Sequence, residues 1–317
     1  MGLASLPFFE RLDAARSVLI AGAGGGFDVF SGLPIYFALR RMGKAVHLAN
    51  LSFSWLAKTD GARVCPGLVE VTAATNGDMD YFPEKHLSAW FRARGEDVPV
   101  FCFEKTGVRP LRDAYATLAE RLGADAVVLA DGGTDSLLRG DEADLGTPAE
   151  DMSSIAAVEA LDVPVKLLTS IGFGVDAFHG VCHAHVLEAV AALAKSGGFL
   201  GAFSLLREMD EFALYAQAMD AVTAAMPRYP SIVNTSIVSA VEGDYGDVHR
   251  TQRTQGSELW INPLMALYFT FDLHAIAERV LFLSALRQTE TAFEIAAVIE
   301  AFRSARGALR PRKAIPV

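Results

Sequence analysis

Apolar runs and helical stripes alternate along the first half of the chain. "SVLIAGA" (17–23) is a short unbroken apolar run ending in glycines, the pattern of a strand buried on both faces. "VFSGLPIYFALRRMG" (29–43) follows as a helix that Gly43 stops. "AVHLANLSF" (45–53) and "VPVFCFE" (98–104) read as the next two core strands, and residues 54–95 between them read as an irregular excursion. "RPLRDAYATLAERLG" (109–123) places Leu111, Tyr115, Leu118 and Leu122 on one helical face and ends at Gly123. "ADAVVLADGGTDS" (124–136) is a fourth strand running into an acidic loop. "TPAEDMSSIAAVEALD" (147–162) carries Thr147, Pro148 and Glu150 at the spacing of a capping box with proline at the first helical position. "VPVKLLTSIGFGVD" (163–176) is a fifth strand and turn.

Strands that alternate with helices form a parallel sheet covered on both faces. The expected fold is therefore α/β, Rossmann-like and doubly wound, with a mostly parallel sheet. After residue 176 the pattern turns helical at 184–198, 210–226 and 273–303, with a polar, glycine-punctuated stretch at 231–260. No repeat or flexible linker separates the halves. One domain over 1–317 is expected, with a sheet core at 15–176 and a helix-rich part at 177–317 packed on it.

Composition narrows the function. Apolar residues make up 51% of 317, enough for a large core, and the net charge is −10. That balance speaks against a nucleic-acid partner, which needs basic patches, and against docking on anionic lipid. Arg303, Arg306, Arg310 and Arg312 cluster near the end and read as a frayed helix tail. Three separated cysteines without a CxxC give no disulfide framework. The first residues lack a basic, apolar signal pattern, and Gly2 with Ser5 misses the spacing of a myristoylation start. The apolar stretch 259–286 is broken by Asp272, His274, Glu278 and Arg279, so it reads as core or oligomer interface and not as a membrane span. These readings lead to a cytoplasmic protein, not membrane-bound and homo-oligomeric.

Four segments carry candidate chemistry. "LIAGAGGGFDVF" (19–30) joins a strand to a helix through Gly22, Gly24, Gly25 and Gly26, which suits the binding of an anion or cofactor at free backbone N–H groups. The dinucleotide pattern GxGxxG is broken at Phe27, and Asn50 stands where an acid would hold a ribose. The alternative is a turn whose glycines serve only tight packing. Asp28 is either a helix N-cap or a site residue, and a site shared with the glycine turn implies Mg²⁺ or a ligand that is not a phosphate.

"LADGGTDSLLRGDE" (129–142) emerges at the same sheet edge, so Asp131 and Asp135 are expected to converge with Asp28 as base or metal holder. Asp141, Glu142 and Asp144 are expected to be exposed. "DAFHGVCHAHVLE" (176–188) offers Asp176, His179 and His183, the histidines spaced so that one helical face holds both. One histidine, His179, is expected at the site with Asp176. "GDYGDVHRTQRTQGSELWINP" (243–263) gathers His249, Arg250, Arg253, Thr254 and Ser257, donors suited to a carboxylate or phosphate. Neither a GxSxG elbow nor a Walker loop is present.

"LIAGAGGGFDVFSGLPIYFAL", "VVLADGGTDSLLRGDE" and "SIVSAVEGDYGDVHRTQRTQGSELWINPLM" together resemble the domain of unknown function 1152 family of bacteria and archaea, over about residues 15 to 285. The resemblance implies a Rossmann-like α/β protein and carries over no catalytic role. The residues themselves lead to an enzyme acting on a small polar, anionic metabolite by hydrolysis or group transfer, with Mg²⁺ or a nucleotide as the cofactor to expect. A nucleotide-dependent transferase or ligase is the second reading, and a non-catalytic binding or sensor protein the third.

Overall fold

The computed structural model describes residues 5–77, 79–256 and 259–315. Its centre is a nine-stranded sheet. The strands are β1 (Ser17–Gly22), β2 (Ala45–Leu51), β3 (Ala62–Cys65), β4 (Leu68–Val71), β5 (Val100–Phe103), β6 (Ala126–Gly132), β7 (Val165–Ile171), β8 (Phe199–Ser204) and, after two short strands, β11 (Leu267–Asp272). Their order is β3-β4-β5-β2-β1-β6-β7-β11-β8, and only β4 and β11 run against the rest. The two short strands, β9 (Gly246–Asp247) and β10 (Trp260–Ile261), pair antiparallel outside this sheet.

The five expected strands form the parallel centre, and the reason lies in their composition. Val18, Leu19, Ile20 and Ala21 in β1 and Val127, Val128 and Leu129 in β6 are fully buried, alternate side chains filling the cores on opposite faces. The helix Val108–Leu122 buries Leu111, Tyr115 and Leu118, and its Gly123 turns left-handed at φ 55°, which a residue with Cβ avoids. From β1 the chain winds one way to β2 and β5, then crosses back to lay β6 on the other side of β1. The carboxyl ends of β1 and β6 thus flank the point where strand order reverses, where such sheets open a crevice.

Several expectations are corrected. The excursion at 54–95 contributes the β3–β4 hairpin and the helix Pro83–Ala93. The helix after β1 breaks at Gly32 into Asp28–Ser31 and Leu33–Arg41, where Pro34 opens the second segment and has no N–H to continue the first. The helix-rich second half also supplies β8 and β11, which extend the same sheet. The apolar 259–286 stretch owes its character to this burial, with Tyr268 and Phe271 almost fully enclosed. The polar 231–260 stretch contains a helix, Ile232–Glu242, which Ser231 caps by accepting from the Asn234 N–H at 3.1 Å. Among the described residues no helix is long and apolar enough to cross a membrane.

The arginine tail is not frayed. Arg310 Nη2 lies 2.6 Å from Glu142, its Nε 2.8 Å from Asp141, and its Nη1 2.8 Å from Glu188. Arg303 donates to the carbonyls of Glu142 and Ala143 at 2.9 and 2.7 Å. Asp141 and Glu142 are consequently buried, contrary to their expected exposure, while Asp144 is exposed.

Candidate functional site

The glycine turn serves its own carboxylate. Gly22 ends β1 in ordinary backbone geometry, while Gly25 and Gly26 adopt φ of 89° and 62°. These let the chain fold under β2: Gly26 N–H donates to Leu51 C=O at 3.0 Å, and Asn50 Nδ2 holds the Gly26 carbonyl at 2.7 Å. Gly24 N–H donates to Asp28 Oδ2 at 2.6 Å. The turn's N–H groups at Gly24 and Gly26 are therefore already engaged. Asp28 is not the N-cap of its helical turn, which is Phe27; its carboxylate points back to the turn. Asn50, at the end of β2, sits beneath the turn, and its other amide hydrogen goes to the buried Glu84 at 2.8 Å.

Gly22 tolerates no side chain. A Cβ there would meet Asn50 Oδ1, with the Val29 nitrogen at 2.8 Å and Asp28 Cβ at 2.9 Å. Gly22→Ala is expected to cost about 2 kcal/mol or more through this overpacking, measured by denaturant unfolding, and to shift Asp28.

β6 delivers Asp131 to the same crevice, where its carboxylate accepts from the Ser136 hydroxyl. The third member was not foreseen. Asp151 lies on the helix Pro148–Glu159, one turn in, with 1% of its surface exposed. Carboxylate oxygens of Asp28, Asp131 and Asp151 all lie within 4.8 Å of one another. Both oxygens of Asp151 lack a hydrogen-bond partner among the described residues. A signal existed in the sequence: an acid in the first turn of a helix whose later positions, Ile155 to Val158, are apolar, beside the exposed-looking Glu150. It reads equally as a favourable charge at a helix N-terminus, and so it hides.

Two further carboxylates adjoin the three. Asp135 accepts from the Thr147 N–H and hydroxyl at 2.8 and 2.9 Å, so Thr147 serves Asp135 in place of the expected capping box. Glu150 pairs instead with Lys105 at 2.6 Å. Asp176, after β7, accepts from the Thr134 N–H at 2.7 Å. These residues line a cavity of about 230 Å³ whose mouth carries Phe53, Lys105, Phe178 and His179. His179 is exposed and stacked on Phe178. It lies in a 3-10 turn, whereas the helix begins at His183, so the two share no helical face.

The electrostatics follow from burial. Asp28 is pushed up to about 7 by loss of water, helped by repulsion from Asp135, against the pull of its amide donors. Burial, then repulsion from neighbouring carboxylates, also raises Asp131, Asp151 and Asp176 well above the usual carboxylate range. The folded protein therefore holds protons that the unfolded chain releases. By linkage, stability of the cation-free protein should fall as pH rises from the ordinary value of 3.8 through about 7. Urea midpoints measured across that window test this: a rising or flat profile would contradict it.

The arginine loop lies elsewhere. Arg250 is paired with Glu242 and Asp244 at 2.6 and 2.5 Å, and His249 lies 2.9 Å from both Thr254 and Asp247. Arg253 lines a different cavity from the acids. Ser257 lies outside the described residues.

An acidic crevice at the switch point of a parallel-centred sheet defines an α/β protein of the Rossmann-like class. A family model described as "Protein of unknown function (DUF1152)" matches residues 64–304, more than half of the chain, and the chain belongs to that family. No curated protein and no solved structure matches it. The matched span includes Asp131, Asp135, Asp151 and Asp176 but begins after the glycine turn and Asp28. It is displaced from the resemblance at 15–285, reaching further toward the end and less far toward the start.

Proposed function

We propose that the chain is a divalent-cation-dependent enzyme that acts on a small anionic metabolite by hydrolysis or group transfer. The observation that carries this reading is the meeting of Asp28, Asp131 and Asp151, brought from three elements to within 4.8 Å, with both Asp151 oxygens buried and unpartnered among the described residues. Carboxylates left in that state are costly unless they are protonated or neutralised by a cation. All-oxygen donors favour a hard cation, Mg²⁺ or Mn²⁺.

A cation held there would screen the mutual repulsion, accept an oxygen of an anionic substrate and polarise it. Asp176 stands on the same cavity as a base for water or a substrate hydroxyl. His179 at the mouth, and Lys105 beside its partner Glu150, stand where they can donate to the anion. The volume of about 230 Å³ suits a compact substrate. Engagement of the Gly24 and Gly26 N–H groups within the protein supports a metal-centred reading over a nucleotide cradle.

The test is turnover of small phosphate esters and carboxylate-bearing substrates with Mg²⁺ or Mn²⁺. Asp131→Asn is expected to lower the rate by at least about a thousandfold with the fold intact by circular dichroism. An unchanged rate in that variant would remove the catalytic assignment.

A further inference from the structure

The second cavity, about 660 Å³, lies across the helix Ile232–Glu242 from the carboxylates. Val233 of that helix faces the acidic cavity, while Thr235 and Val238 face the second. Three arginines line it, in different states. Arg250 is neutralised by its two acids. Arg228 approaches Asp80 only at 3.7 Å, both side chains being largely exposed. Arg253 donates Nη1 to the Pro230 carbonyl at 2.8 Å and meets no carboxylate within 4.0 Å among the described residues.

That single bond orients the guanidinium and leaves most of its donors for a ligand. Beside it Thr251 is 7% exposed, and its hydroxyl has no partner among the described residues. Apolar surface from Met219, Pro227 and Val238 completes the wall. Arg253 is exposed and brings to this cavity a positive charge that no acid among the described residues meets within 4.0 Å. Asp220 also lines this cavity, so its positive charge rests on Arg253 and Arg228. The half-buried phenol of Tyr81, raised chiefly by desolvation, is pushed further by Glu84 and Asp28 and pulled back by Arg253.

We propose that this cavity binds an organic phosphate. Its phosphoryl oxygens would lie on Arg253 and Thr251, Arg228 would attract it from solution, and its apolar body would rest on Met219 and Val238. The site is separate from the metal reading and does not depend on it.

Phenyl phosphate is the probe, titrated by calorimetry into the protein freed of divalent cations. The wild type is expected to bind it. Arg253→Ala should weaken binding by about tenfold or more, Thr251→Val should weaken it several-fold, and Arg253→Lys should retain part of the affinity. Asp131→Asn should leave it unchanged. No binding by the wild type, or full binding by Arg253→Ala, would overturn the proposal. Loss of binding in Asp131→Asn would also overturn it, by placing the ligand among the carboxylates.

Discussion

Asp151→Asn is expected to make the cation-free protein more stable while abolishing any stabilisation by Mg²⁺ or Mn²⁺. Asparagine matches aspartate in shape, so the helix Pro148–Glu159 keeps its packing. The substitution removes a carboxylate whose two oxygens are buried without donors among the described residues and which faces Asp28 and Asp131. Its new amide hydrogens can donate to those neighbours. Removing a buried carboxyl that must otherwise take up a proton or repel its neighbours is worth about 1–3 kcal/mol, a rise of a few degrees in Tm. Binding sites commonly trade stability in this way. Thermal unfolding with and without Mn²⁺ checks both halves. A destabilised variant would mean that Asp151 has a structural partner, and a retained Mn²⁺ shift would mean that the cation does not use it.

Arg310→Ala is expected to destabilise the fold by about 3 kcal/mol and to loosen the acidic loop first. Arg310 is the common partner of Asp141, Glu142 and Glu188, and its backbone is bound into the loop as well, donating to Asp141 C=O at 2.7 Å and accepting from Ala143 N–H at 2.8 Å. Glu142 is 2% exposed, so removing the guanidinium leaves it buried with less compensation. Breaking one side of a buried pair costs about 3–5 kcal/mol, and the partly exposed Arg310 places the change at the lower end. Glu142 keeps the N–H donors of Arg139 and Gly140. The loop leads back to Asp135 and Asp131, so loss of the clasp reaches the site. Hydrogen exchange should show faster opening of 132–147 with the β1–β2 core unchanged. Equal protection in the variant would refute the clasp.

The parallel centre was legible because its signals are local. Unbroken apolar runs such as "SVLIAGA" and the stripe at 109–123 need no distant partner to be read. The antiparallel edges were not: β8 and β11 take their places from pairing across more than sixty residues, as Phe269 with Ala202 shows. The same division holds at the site. The convergence of Asp28, Asp131, Asp135 and Asp176 on one cavity was legible because strand-end loops of a parallel sheet share one edge. Asp151 was missed because it comes from a helix side that only packing turns inward. The tail was misread for a similar reason: the partners of Arg310 lie at positions 141, 142 and 188. The arginine loop shows the converse, since residue chemistry singles out a segment without saying which cavity it lines.

The most direct test of the carboxylate site is an electron paramagnetic resonance titration of Mn²⁺ into the wild-type protein at about neutral pH, where free and bound ion differ in signal. The account expects one equivalent of Mn²⁺ to lose the free-ion signal and Mg²⁺ to restore it by competition. A full free-ion signal at every protein concentration would contradict it.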